Sequence, residues 1–222
     1  MVLNENGRNE RKMFEALTYQ IMMDTISENV RTHGILDDTI GILITRPDLP
    51  TGKTILDSLE YYHFRTGKSL NFYLPGYGAY WPKSEYPDGK VVTVIDGVNW
   101  SFSNQMFVQF ISELESRSKW SYSGESELLL IGLKNGIPTF ENVILFLLDN
   151  MLRDNAINSV YSFLEQLFRV CSDKDNIEQI SNILGNEKFK QITKEKILDK
   201  LPLDMGNVFT QEKYFCVKNM QL

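Results

Sequence analysis

The chain has 222 residues, 42% of them apolar and 23% charged, and carries a net charge of −6 at neutral pH. Those values suit an ordinary globular chain with a substantial core and exclude disordered, collagen-like and coiled-coil classes. The acidic balance argues against a chain built to grip nucleic acid through its phosphates, and two cysteines, Cys171 and Cys216, cannot make a disulfide framework.

The first residues carry Arg8, Glu10, Arg11 and Lys12 where a secretory signal would need an apolar stretch. No apolar run reaches the roughly eighteen residues of a membrane span. A soluble cytoplasmic protein without membrane contact is therefore expected. Apolar rows at Met13-Leu17-Ile21 and Met22-Ile26-Val30 predict one helix over 8–32, with a stripe that changes side partway and Gly34 as its stop. Residues 39–45 lack polar alternation and predict a central strand covered on both faces. After Pro47 and Pro50, the row Ile55-Leu59-His63 predicts a helix ending at Gly67, and 70–74 predicts a second strand. Strand, helix and strand in about forty residues make a βαβ unit with a right-handed crossover.

Residues 76–90 form an aromatic, proline-bearing loop, either a binding loop or an insertion packed by its own rings. Asp96-Gly97, between VVTVI and VNWSF, predicts a tight hairpin; the alternative is one strand ending at Asp96, which would put that acid at a strand's C-terminal end. An amphipathic helix follows over 103–117, then a buried strand around Leu128–Ile131 that Lys134-Asn135-Gly136 closes. From Thr139 onward the expectation is helical: a buried helix in FENVILFLLDNML, another over 156–171, and two shorter ones ending at Gly185 and near Leu201. The tail offers an edge strand. The expected fold is α/β, a small, mainly parallel sheet over 35–136 with a βαβ unit and an Asp-Gly hairpin. An N-terminal helix and a helical C-terminal part flank it and share its core within one domain, 1–222.

The stretch PDLPTGKT invites comparison with a phosphate-binding loop, but Pro47 stands at the first glycine and has no amide to offer. The expectation that survives is an anion site at a helix N-terminus, held by Arg46, Gly52, Lys53 and Thr54. Gly76, Tyr77 and Gly78 end the second strand at the same edge, where the glycines allow close approach and Tyr77 a stacking contact. Asp96 and Glu125 are the candidate catalytic acids. Glu125 and Glu127 lie near Trp120 and Tyr122, surroundings that raise a carboxyl's pKa. They enter their strand at its N-terminal end, however, opposite the ligand edge of a parallel sheet; an antiparallel strand would remove that objection.

Two helical histidines give no metal-binding cluster, and neither a serine-nucleophile elbow nor a dinucleotide-binding glycine motif is present. No cofactor is indicated. Two functions are expected from these residues: binding or processing of a small nucleotide-like anion at the sheet's C-terminal edge, or a non-catalytic protein-interaction module using loop 76–90 and the C-terminal helices.

Overall fold

A computed structural model describes residues 13–34, 36–66, 70–80, 84–171, 177–180 and 214–222. Strands β1 (Met13–Ala16), β2 (Asp38–Ile44) and β3 (Asn71–Pro75) run parallel, with β3 between the other two. They are joined by α1 (Tyr19–His33) and by the pair α2 (Pro50–Asp57) and α3 (Leu59–Arg65). The expected βαβ unit is therefore present over β2, α2, α3 and β3. The chain then makes a separate antiparallel sheet in the order β4-β6-β5, from β4 (Tyr77–Ala79), β5 (Lys90–Ile95) and β6 (Val98–Phe102). Asp96 and Gly97, with φ of 50° and 73°, form the predicted hairpin turn between β5 and β6.

Helix α4 (Asn104–Arg117) leads to β7 (Glu127–Lys134), which lies antiparallel beside β2. β8 (Ile137–Leu147) pairs with β7, then come α5 (Leu148–Arg153), α6 (Val160–Cys171) and the edge strand β9 (Phe215–Lys218). The main sheet has the order β1-β3-β2-β7-β8-β9. β2 is central, and all seven of its residues are buried. One connected hydrophobic cluster runs from Met22 and Ile26 of α1 through β2 and β7 to Leu164 and Phe168 of α6. No helix among the described residues is long and apolar enough to cross a membrane.

Three expectations are corrected. The sheet is mixed, with β2–β7, β7–β8 and β8–β9 antiparallel and only the β1–β3 and β2–β3 pairs parallel. For the β7–β8 pair the reason is local: Asn135 and Gly136 take φ of 54° and 72°, a two-residue reversal that forces β8 back along β7. Residues 137–147 are therefore strand where a helix was predicted, because an apolar run without a period does not distinguish the two. The first predicted helix is also divided. Met13–Ala16 is strand, and Thr18 caps α1 by accepting a hydrogen bond from the Ile21 amide, so the change of stripe marked a boundary. The helices predicted to end at Gly185 and near Leu201 lie outside the described residues.

Candidate functional site

Because β7 runs antiparallel to β2, the last residue of β2, Ile44, stands opposite the first of β7, Glu127. The C-terminal end of the central strand and the loop entering β7 thus share one edge of the sheet. Thr45 and Ser126 seal that edge through a buried hydroxyl pair at 2.8 Å, and the Ser126 amide donates to Asp149 of α5 at 2.5 Å. The Tyr77 hydroxyl donates to the Thr45 carbonyl at 3.1 Å, which ties the small sheet to the end of β2.

Arg46 and Tyr122 hold the unusual groups. Arg46 reaches Asp48 through Nη2 at 3.0 Å, while its Nε is buried without a hydrogen-bond partner among the described residues. The Tyr122 hydroxyl is likewise buried and unpartnered among them. Its ring packs against Phe107 and Trp120, with centroids 5.7 and 6.1 Å away. Burial, with a smaller contribution from Glu127, pushes the Tyr122 phenol up to about 12, and Arg46 opposes the rise. The carboxylates here are occupied: Asp48 pairs with Arg46, Asp149 takes the Ser126 amide, and Glu127 takes the Trp120 indole N–H at 3.0 Å and the Ser123 amide at 2.9 Å. What remains unmatched is an Arg N–H and a phenol.

The predicted site residues divide into those that reach this edge and those that do not. Arg46 is at its centre. Gly52 packs under it: a Cβ there would lie 1.9 Å from the Arg46 carbonyl oxygen, so this glycine serves close helix–strand packing. Lys53 and Thr54 are exposed on α2, and the Thr54 hydroxyl donates back to the Pro50 carbonyl. Gly76, at φ +78°, is filled by Phe107, whose Cβ would lie 2.7 Å from an added methyl. Tyr77 is fully buried and Gly78 is buried in β4 opposite Ser101, so neither faces solvent at the edge. Asp96 stands in the exposed hairpin turn, its amide donating to Glu60 of α3 at 3.0 Å. Glu125 is two residues before β7 and ion-paired with Arg153.

Tyr122 was visible to sequence reasoning only as a neighbour of the acids. What brings it to this edge is the antiparallel pairing of β7 with β2, which no local motif of the sequence encodes. At the other end of β2 a cleft of about 280 Å³ is lined by Asp37, Asp38, Lys134 and Glu141 among others. That predominantly acidic lining does not suit an anion. Among the described residues no group of three or more His, Cys, Asp or Glu is placed to hold a metal ion. No protein-family model, curated protein or solved structure matches the chain.

Proposed function

We propose that the chain binds a small, nucleotide-like anionic ligand at the edge where β2 ends and β7 begins, with Arg46 and Tyr122 as its polar contacts. The observation that carries this reading is the pair of buried, unpartnered groups, Arg46 Nε and the Tyr122 hydroxyl, in one electrostatic neighbourhood. Leaving a buried polar group unmatched costs about 1–3 kcal/mol, and an N–H and an O–H donor are groups that anionic oxygens match. Phe107 and Trp120 beside Tyr122 supply the apolar surroundings that suit a planar ring. The acids at this edge, Asp48, Glu127 and Asp149, are each already paired, so the support here is for binding.

Thermal unfolding against inorganic pyrophosphate, AMP, ADP and NAD tests the reading. A ligand at a hundred times its dissociation constant stabilises by about 2.7 kcal/mol. The expected result is a shift in the wild type that Arg46→Gln and Tyr122→Phe lose and Lys53→Ala keeps. No shift with any of the four would overturn it.

The second reading, a protein-interaction module, rests on exposed aromatics. Tyr80 in loop 76–90 is 84% exposed at φ +60°, and Tyr161 of α6 stacks at 5.1 Å on Tyr61 beside exposed Phe64. It predicts that Tyr80→Ser leaves ligand shifts intact and abolishes association with a co-purifying protein.

A further inference from the structure

The loop that carries Tyr122 is anchored by the buried Trp120 ring and is held from both sides by carboxylates. On one side Glu115 of α4 accepts from the Ser121 hydroxyl at 3.1 Å and the Tyr122 amide at 2.9 Å. On the other, Glu127 is 1% exposed and accepts from the Trp120 indole N–H and the Ser123 amide, one donor to each oxygen. Residues 120–123 are thus bracketed, and Ser121 and Tyr122 are the residues between the two Glu127 contacts.

From this geometry we infer that Glu127 is the positioning residue of the site: as a carboxylate it fixes Trp120 and Ser123 and so holds the Tyr122 loop in place at the edge where β2 ends. This rests on the anion-site reading for its use, but the placement itself is independent of any ligand. Both partners of Glu127 are donors, so both oxygens must accept. When the carboxylate takes a proton from solvent, one oxygen becomes an O–H, itself a donor, and either the indole or the amide loses its acceptor. The loop is then held on one side only. The charged and titratable groups that face this arrangement are Glu125 and Tyr122 of the loop itself, Arg46 and Asp48 after β2, Asp149 of α5 and Glu115 of α4. The residues paired with Glu127 across the sheet, Ile44 and Leu147, are apolar. Burial disfavours the Glu127 carboxylate and holds its pKa above the ordinary value, against the opposing effect of hydrogen bonds from the Ser123 hydroxyl and amide and the Trp120 indole. The release therefore occurs at a higher pH than for a carboxyl in water.

Hydrogen exchange of the full chain, corrected for intrinsic rates, tests this near neutral pH and again at about pH 4, below the ordinary carboxyl value. In the wild type, protection of the Ser123 amide and its neighbours falls about tenfold on acidification, as expected for loss of a charge-assisted hydrogen bond, while α4 and β7 keep theirs. In Glu127→Gln the loop has the lower protection at both pH values. Tyr122→Phe, which removes only the hydroxyl, keeps the wild-type profile. If Glu127→Gln fails to fold, the wild-type profile still decides, because loop protection unchanged between the two pH values overturns the role. Loop protection equal in wild type and Glu127→Gln overturns it as well. Pyrophosphate and ADP shifts measured on the same samples keep the two claims apart: a pH-dependent loop with no ligand shift supports the positioning of Tyr122 and sinks the anion site.

Discussion

A methyl group added at Gly52 would lie 1.9 Å from the Arg46 carbonyl oxygen and 2.8 Å from Thr45 Oγ1, and the Arg46 backbone leaves it little room to move. Gly52→Ala is therefore expected to destabilise by about 1–3 kcal/mol in urea unfolding and to disturb Arg46 with it. Tyr77→Phe removes one buried hydrogen bond to Thr45 and should cost about 1 kcal/mol without affecting a ligand shift, since Tyr77 faces the core. Glu127 gives the pH dependence its sign. Its folded pKa is raised above 4.5 by burial, so the native state holds this proton more tightly than the unfolded chain does. The stabilisation is fully present below the unfolded value and is lost as pH rises through the folded one. Comparing wild type with Glu127→Gln across the acid range should reveal a component that falls with rising pH and is absent in the variant. Ionisation of Glu127 thus lowers global stability while tightening the loop locally, and unfolding and exchange read the two effects separately.

At the scale of elements, two reversals of the same chemistry stand in different surroundings. Gly97 and Gly136 both hold positive φ, 73° and 72°, but space around them differs: nothing lies within 4 Å of a Cβ at Gly97, whereas at Gly136 the Val30 Cγ2 of α1 would be 2.7 Å away. Gly97→Ala should cost about 1–2 kcal/mol in backbone strain alone. Gly136→Ala should cost more, and chemical unfolding of the two variants side by side checks the order. The Asp96-Gly97 hairpin was legible in the sequence because Asp-Gly supplies the positive φ angles of a tight turn. The Asn135-Gly136 reversal was read only as a stop, because the run after it is apolar without alternation and suits a buried helix equally well. β8 is buried on both faces near its end, Val143 to Phe146, which erases the period that would have identified it.

For the whole molecule, the central strand was legible and the strand order around it was not. A run such as 39–45 states that it is covered on both faces; it does not state by which neighbours or in which direction they run. That direction brings Glu127 and Tyr122 to the end of β2 where Arg46 stands. In a parallel arrangement they would lie at the far end, beside the acidic cleft. Arg46 was therefore readable as a site residue from its place after a strand, whereas its partners depended on a pairing between residues more than eighty positions apart, such as Thr45 and Ser126. Lys53, Thr54 and Gly52 resembled a phosphate loop in spelling, and the structure uses the glycine for packing and leaves the other two exposed.

The most direct test of the account is thermal unfolding with pyrophosphate and ADP on three proteins: the wild type, Arg46→Gln and Lys53→Ala. The account predicts a shifted midpoint in the wild type and Lys53→Ala and none in Arg46→Gln. A shift that survives Arg46→Gln and vanishes in Lys53→Ala would contradict it and move the ligand to the exposed face of α2.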